Sequence, residues 1–522
     1  MQDAEKFVNN DIQIPINLNF APPQQSLNSE EEYNFSLYIK KNNKKILFFL
    51  LIILIFGFSI YMDYKGYNIT ALTKKIFEYL GVKERIDKKC YELEPMHLFE
   101  LRLNNTPMKI CDNEKSNQYH ICYVNSHNDY FYHKNGVTCI MKNIILDPFK
   151  SSQTSIIYKG PVDKVYRGFP ILYYGFFNMN CENKNDIKEY DYLYTTYFNS
   201  WNYNYNRKEE LTELAPNKTI FFMSRNQDSP NLFHGGSELI NAVSMMELFN
   251  LKPEDIQIIF LESMILKGDP LYDIYKSIIS RGGEPIYIRD LHKKYLISSA
   301  VHVPINVDSP LFMDASFPNC GEHPGRAYKL LNDLVSKYMN ISKYEDKFFS
   351  DNETYYYPKS VIDSHNSNIK FKKYVTIQWR KVWPKGRTGQ YRILGNGPEL
   401  AEKLANALPK DFLVRLIDTA GMPIKEQISL MKKTDYLVGM HGAGLSLAIF
   451  MDNKSILHEV LPARNMGVLT LMSALSGHRT YSDKLRSTMK IIDDNEYFFF
   501  KEGHFVKRVL VHMRDNFFFE KN

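Results

Sequence analysis

A glycine-rich turn between two apolar runs constrains the fold of this chain more than any other feature. The run 436–438 is typical of a buried parallel strand, and the turn 441–444, His-Gly-Ala-Gly, leads into a predicted short apolar helix. A second apolar run, 456–461, carries one acid, Glu459. A strand that passes into a helix through glycines points backbone N–H groups into a crevice, with about half a positive charge from the helix dipole behind them. The stretch predicts a phosphate-binding corner.

Strand-like and helix-like patterns alternate on both sides of a polar segment. Before it, we predict strands at 219–223, 256–261 and 285–288 and helices at 237–249 and 271–280. After it, we predict strands at 374–378, 412–417, 436–440 and 456–461 and helices at 398–408 and 424–431. Such alternation implies parallel sheets. The predicted fold class is therefore α/β, with two doubly wound parallel-sheet domains that face a cleft.

One continuous apolar run, 46–62, has the length of a short membrane-spanning helix. Four lysines precede it, so the positive-inside rule puts the N-terminus in the cytosol. The run begins too far along the chain for an ordinary signal peptide, and its alternative interpretation is a buried core helix. A short span suits a thin membrane of the secretory pathway. We expect a single-pass type II protein of the Golgi or endoplasmic reticulum membrane, with the following residues in the lumen.

Cysteine placement agrees with this topology. All six cysteines lie beyond the apolar run, where an oxidising lumen permits disulfides: Cys90, Cys111, Cys122, Cys139, Cys181 and Cys320. Their pairing cannot be deduced from sequence.

The net charge is +6, and the basic residues are scattered, so we expect no nucleic-acid partner.

Six motifs follow one another between residues 224 and 481. They are SRNQDSPNLFHGGSELI (224–240), VTIQWRK (375–381), YRILGNGPEL (391–400), MPIKEQISLMKKTDYLVGMHGAGLS (422–446), ILHEVLP (456–462) and SGHRTY (476–481). In this order they resemble glycosyltransferase family 61. The resemblance implies a GT-B fold, inverting chemistry, a UDP-sugar donor (N-acetylglucosamine or xylose), and a hydroxyl acceptor on a secretory glycoprotein or glycan.

With this resemblance, the chain divides into seven predicted segments. They are a disordered cytosolic tail (1–45), a transmembrane signal anchor (46–62), a stem (63–89), an acceptor-side luminal domain (90–340), a linker (341–370), a nucleotide-sugar-binding domain (371–482) and a tail packed back on the first domain (483–522).

No divalent metal and no other cofactor are expected. A metal-dependent transferase needs a carboxylate pair beside the sugar diphosphate, and the best candidate, Glu189-Tyr190-Asp191, lies outside the resembling region. Without a metal, fixed donors must stabilise the charge of the departing diphosphate. The donor-binding candidates lie at predicted strand ends or in the following loops: Arg380, Arg392, His441, Gly442, Ala443 and Gly444. The alternatives are a packed histidine and two solvated arginines.

Glu459 is an acid in an otherwise apolar strand, and a buried acid must find partners. A ribose diol offers two hydroxyl donors, so Glu459 is a further donor-binding candidate. Its alternative role is that of a structural acid bonded to backbone N–H groups. Gln427 and Asp435 are expected to stabilise the fold.

An inverting displacement needs a base for the acceptor hydroxyl, and His234 and Glu238 are the catalytic candidates. They are four residues apart, and so share a face if a helix already begins there. The pair Gly235-Gly236 instead favours a loop position for His234. Glu238 could also be a first-turn acid favoured by the helix dipole.

Three positions depart from the family's usual pattern. They are Glu238 in place of Asp, Leu447 in place of Asn, and the stretch 391–396 in place of RRxxN. The leading hypothesis is an active transferase. The alternative is a catalytically inactive, membrane-tethered module that binds a glycan or a protein.

Overall fold

The structure is a computed structural model. It describes residues 95–104, 107–124, 137–151, 172–181, 184–185, 194–206, 209–224, 232–261, 271–305, 324–341, 353–356, 372–381, 392–420, 422–461, 468–485, 487–493 and 495–518. The predicted cytosolic tail, membrane anchor and stem lie outside these residues. So do Cys90, Cys320, the candidate carboxylate pair at 189–191 and nearly all of the linker. Among the helices that are described, none combines the length and the apolar composition needed to cross a membrane.

The described elements are numbered here in chain order. The strands are β1 (Met108–Asn113), β2 (Gln118–Val124), β3 (Val137–Leu146), β4 (Phe177–Asn178), β5 (Trp201–Asn202), β6 (Thr212–Glu213), β7 (Thr219–Met223), β8 (Ile256–Phe260), β9 (Ile286–Tyr287), β10 (Tyr295–His302), β11 (Glu353–Tyr356), β12 (Lys373–Gln378), β13 (Ile393–Leu394), β14 (Phe412–Ile417), β15 (Tyr436–Met440), β16 (Ile456–Val460), β17 (Arg479–Asp483), β18 (Ser487–Ile492) and β19 (Asn495–Phe500). The α-helices are α1 (Pro95–Leu103), α2 (Thr195–Asn199), α3 (Leu232–Leu248), α4 (Tyr272–Ile278), α5 (Arg326–Tyr338), α6 (Gly397–Ala407), α7 (Ile424–Lys432), α8 (Val468–Leu475) and α9 (Glu502–Met513).

The first sheet is mixed, which corrects the prediction of a purely parallel first domain. Its strands run in the order β1-β2-β3-β10-β7-β8-β9. Strands β10, β7, β8 and β9 are parallel, whereas β1, β2 and β3 are antiparallel to their neighbours. A short connection joins β1 to β2, and short connections allow only antiparallel pairing. Two disulfides, Cys111–Cys181 and Cys122–Cys139, cross-link this antiparallel part.

The second sheet is parallel apart from its edge strand β11. Its strands run in the order β11-β14-β12-β15-β16-β17. Of the five parallel strands, β12 comes first in the chain, β14 pairs on one side of it, and β15, β16 and β17 follow one another on the other side. Helix α6 packs on one face, and α7 and α8 pack toward the other. This is the doubly wound arrangement predicted for this region, and its chain order reverses between β12 and β15.

One apolar core lies between the two sheets. It joins α3 and α5 of the first part to α7, α8 and the 3-10 helix Ala443–Phe450 of the second, with side chains such as Leu239, Leu331, Leu445 and Met472. Leu447, one of the departures from the family pattern, is 1% exposed and belongs to this core. Its role is therefore apolar packing between the sheets.

The C-terminal tail packs on the second sheet in its described residues, and not on the first as predicted. Strand β19 pairs with β13 and β18 in a small third sheet. Phe498 of β19 and Phe505 and Val509 of α9 share a core with Leu400 and Leu404 of α6. The apolar faces of β19 and α9 cover the far face of the second sheet. Without this contact, both apolar surfaces would be exposed to water.

Candidate functional site

The point where chain order reverses in the second sheet lies between the carboxyl ends of β12 and β15. Arg380 follows β12 by two residues, and His441 and Gly442 follow β15 directly. Doubly wound sheets bind ligands in the crevice outside these strand ends. The topology therefore brings Arg380, from a different motif, to the glycine turn.

The glycines of the turn are required by close contacts. A Cβ atom on Gly442 would lie 2.2 Å from a guanidinium nitrogen of Arg380, and one on Gly444 would lie 2.0 Å from the amide nitrogen of Gln378. Gly442 has a φ of 168°, an extended conformation that any residue adopts. Steric exclusion, and not backbone strain, thus explains the glycine, and the Arg380 guanidinium lies directly against the turn.

The turn continues into a 3-10 helix, which is wound more tightly than the α-helix typical of such corners. The Leu445 N–H donates to the Gly442 carbonyl at 3.0 Å, and the His441 N–H donates to Val460 at 2.9 Å. The N–H groups of Ala443 and Gly444 precede the first bonded turn, where a helix leaves donors for other partners. Such donors suit an anion.

His441 and Glu459 form a hydrogen-bonded pair between adjacent strands. His441 Nδ1 bonds Glu459 Oε1, and the Glu459 side chain is fully buried. Gly439, the β15 partner of Glu459, contributes no side chain beside it. The second carboxylate oxygen, Oε2, has no hydrogen-bond partner among the described residues. The His441 side chain is 12% exposed, so its Nε2 atom is the group of this pair that can meet a ligand.

Arg392 lies near the same pair. Burial lowers the pKa of its guanidinium, and the charges of Glu459 and Glu496 act in the opposite direction. Its φ of 68° is in the left-handed region, which non-glycine residues adopt at a cost of about 1 kcal/mol or more. The Leu394 N–H donates to the Arg380 carbonyl at 3.1 Å, so the segments of the two arginines are joined.

Two polar residues at this edge were not predicted. Gln378 Nε2 donates to Thr419 Oγ1 at 2.9 Å, and its Oε1 atom is buried without a hydrogen-bond partner in the described part of the chain. Burial raises the pKa of Asp418, while the Ala420 N–H and Lys381 lower it. Gln378 ends one predicted strand, and Asp418 directly follows another. Their position at these strand ends could have identified them from the sequence.

Helix α3 begins at Leu232, five residues earlier than predicted, so the loop position predicted for His234 is wrong. His234 and Glu238 are one turn apart on the helix and share a face. The glycine pair lies inside the helix, where the Tyr275 hydroxyl donates to the Gly235 carbonyl at 3.1 Å. Glu238 is 2% exposed, whereas His234 is partly exposed.

Helix α3 contacts both sheets. Asn241 Nδ2 donates to the Pro304 and Ile305 carbonyls, at 3.1 and 3.2 Å, just beyond β10. A Cβ atom on Gly236 would lie 3.7 Å from Ile449 of the 3-10 helix. Helix α3, which carries His234 and Glu238, thus packs against the 3-10 helix that follows the glycine turn.

Gln427 and Asp435 have structural contacts. Gln427 Nε2 donates to the Met422 carbonyl at 2.8 Å. Asp435 accepts a bond from Lys373 Nζ and another from the Tyr374 N–H, both at 2.8 Å. These bonds fix the start of β15 beside β12, as expected for residues that stabilise the fold.

Comparison with known proteins identifies the family. A search of curated proteins finds no match to this chain. A scan against protein families matches residues 127–457, more than half of the chain, to Glycosyltransferase 61. The match includes strands β3 to β10 of the first sheet, the glycine turn and the first two residues of β16. The chain belongs to glycosyltransferase family 61 and is a glycosyltransferase.

Proposed function

We propose that this protein is an inverting, metal-independent glycosyltransferase that moves N-acetylglucosamine or xylose from a UDP-sugar to a hydroxyl of a protein or glycan. The observation that carries the proposal is the contact between Arg380 and Gly442 at the reversal point of the second sheet. In this proposal the two sheets form a GT-B arrangement, in which the second binds the donor and the first contributes the base.

The donor diphosphate binds at the glycine turn. Arg380 lies against the turn, and the N–H groups of Ala443 and Gly444 follow it. As the sugar leaves, negative charge grows on the diphosphate, and preorganised donors stabilise that charge without reorganisation. Arg392, near the buried Glu459, adds a second guanidinium fork, which suits phosphate oxygens.

Glu459 has two roles in this site. Through Oε1 it accepts the Nδ1 hydrogen of His441, and the doubly protonated imidazolium can then donate its Nε2 hydrogen to a phosphate oxygen. Through Oε2 it accepts a hydroxyl of the donor ribose, which supplies the partner that a buried carboxylate oxygen requires.

Helix α3 supplies the base. The partly exposed side chain of His234 can meet an acceptor that arrives from solvent, whereas Glu238 is buried one turn deeper. This difference favours His234 as the group that removes the acceptor proton. Glu238, on the same face of the helix, is the buried alternative to this base.

The protein acts in the lumen of the Golgi or the endoplasmic reticulum, anchored by residues 46–62 as a single-pass type II membrane protein. The disulfides Cys111–Cys181 and Cys122–Cys139 support this location, because disulfides persist in oxidising compartments.

The decisive experiment measures UDP binding and UDP-sugar turnover by the purified full-length chain. Calorimetry with UDP is run in EDTA and again with Mn²⁺, and hydrolysis of UDP-N-acetylglucosamine is compared with that of UDP-xylose. Loss of the guanidinium in Arg380→Ala removes charge-assisted bonds, so UDP should bind about 10- to 100-fold more weakly. Arg281→Ala, which removes a surface ion pair with Glu254 and a contact with the ring of Tyr338, is the matched control.

Three outcomes contradict parts of the proposal. A chain that binds no uridine nucleotide rules out the donor site. Binding that requires Mn²⁺ rules out metal independence. Tight UDP binding without transfer to any acceptor would support the alternative, an inactive module that binds a glycan or a protein.

A further inference from the structure

Three potential metal ligands converge on the far side of the second sheet. His458 Nε2 lies 3.2 Å from Asp483 Oδ2, and His512 Nε2 lies 2.8 Å from the same oxygen. The three ligand atoms all lie within 4.8 Å of one another. The residues come from β16, from the end of β17 and from α9, so three separate elements bring them together.

We propose that His458, Asp483 and His512 form a structural zinc site that fastens the C-terminal helix to the second sheet. Zinc binds imidazole nitrogen and carboxylate oxygen at about 2.0–2.2 Å, so neighbouring ligands of a tetrahedral site are about 3.3 Å apart. The N···O separation at His458, 3.2 Å, matches that value, and the one at His512, 2.8 Å, is shorter by about 0.5 Å. Two neutral imidazoles and one carboxylate also match the ligand types that zinc prefers.

The surroundings of the cluster orient its ligands. The Tyr436 hydroxyl lies 2.9 Å from His458 Nδ1. If Nδ1 donates its hydrogen to this oxygen, the lone pair of Nε2 faces Asp483, and such outer bonds are typical of metal-binding histidines. The ring of His512 stacks on Tyr481 with centroids 3.8 Å apart, and Asn516 donates to the Tyr481 hydroxyl at 2.7 Å.

Burial and charge indicate a three-ligand site of moderate affinity. The side chains of His458, His512 and Asp483 are 0%, 10% and 17% exposed, so the ion reaches the cluster beside Asp483, where a water can fill the fourth position. The positive charge of Arg508 acts on His458 and opposes a cation. We therefore expect a dissociation constant on the order of micromolar.

The site is separate from the proposed donor site. Neighbouring residues of a strand point to opposite faces of the sheet, so His458 and Glu459 face away from each other. His458 faces the tail, whereas Glu459 bonds His441 at the glycine turn. Zinc at the cluster therefore stabilises the tail and takes no part in the transfer step.

The test is a zinc titration of the purified full-length chain. The chain is stripped with EDTA, dialysed, and titrated with Zn²⁺ in competition with a coloured zinc indicator. We expect His512→Gln to bind one equivalent less than the unmodified chain, and Zn²⁺ to raise the melting temperature of the unmodified chain but not that of His512→Gln. His504→Gln, on the same helix α9 but outside the cluster, should keep both properties.

A second variant tests the zinc site even if His512→Gln fails to fold. Tyr436→Phe preserves the ring and removes the hydroxyl at His458, so zinc affinity should fall about tenfold with one equivalent still bound. Equal zinc uptake by the unmodified chain and His512→Gln overturns the proposal, and so does unchanged affinity in Tyr436→Phe. EDTA-resistant UDP binding by His512→Gln would leave the proposed transferase function intact, because the two sites are on opposite faces.

Discussion

The two sheets each reverse their chain order at one point, but the residues at the two points differ. Between β12 and β15, Arg380 and Gln378 occupy the space that side chains on Gly442 and Gly444 would need. Near β7 and β10, Gly236 of α3 has only ordinary van der Waals contacts. A diphosphate requires a fixed set of donors in a fixed geometry, whereas the face of α3 at Gly236 only has to pack against its neighbours. We interpret the difference as that between a binding turn and a packed helix face.

The largest effect is expected at the glycine turn. In Gly442→Ala the added methyl group displaces the Arg380 guanidinium, and loss of its charge-assisted bonds should weaken UDP binding about 10- to 100-fold. Calorimetry with UDP measures this change. Gly503→Ala, whose added methyl group meets nothing within 4 Å, is the control. If both variants bind UDP equally well, the comparison between the two sheets fails.

A smaller effect is expected from the carboxylate behind the turn. Glu459→Gln keeps an acceptor for His441 but removes the negative charge, and charge-assisted bonds are about twice as strong as neutral ones. Turnover of the UDP-sugar should fall about tenfold. Glu399→Gln, an exposed change on α6, is the matched control. An unchanged rate in Glu459→Gln would leave Glu459 with a purely structural role.

Acid should destabilise both parts of the molecule through buried histidines. Burial lowers the pKa of His302, in the first sheet, to about 3, and that of His478, next to the second, to about 4. The unfolded chain binds these protons near the ordinary value of 6.5, so the stability present above that pH is lost as pH falls from 6.5 toward 4. Melting temperatures measured across this interval should fall steeply.

The variant His302→Phe isolates the contribution of the first sheet. Phenylalanine keeps the ring packing against Tyr197, at a centroid distance of 4.2 Å in the native chain, and cannot titrate. The melting temperature of this variant should therefore fall less with acid than that of the native chain. His292→Gln, at an exposed position, should follow the native curve. Parallel curves for the native chain and His302→Phe would contradict the argument.

The smallest effect is expected at Gly236. An alanine there meets Ile449 and Met472 at 3.7 Å, an ordinary contact, and it favours the helix by up to about 1 kcal/mol. Gly236→Ala should therefore bind UDP as the native chain does, with equal or higher stability in urea unfolding. Weakened UDP binding in this variant would show that α3 takes part in the donor site directly.

The sequence predicted most of the second sheet. The strands β12, β14, β15 and β16 and the helices α6 and α7 occur within one or two residues of their predicted positions, because the alternation of apolar runs with amphipathic helices is strong there. In the first sheet, β7, β8 and β9 were predicted at their positions, but β1 to β3 and β10 were not. The run at Tyr295–His302 includes two serines and a histidine, so it lacks a clear strand pattern. The predicted segment boundaries and the membrane anchor remain predictions.

The sequence by itself determined the parallel second sheet, the glycine turn and the family motifs, because these depend on local periodicity and on residue order. Only the tertiary structure decided that Arg380 meets Gly442, that His441 bonds Glu459, and that His458, Asp483 and His512 converge. Each of these contacts joins residues from different strands or helices. Their distance depends on strand order and register, and on how the tail packs, which no local pattern encodes.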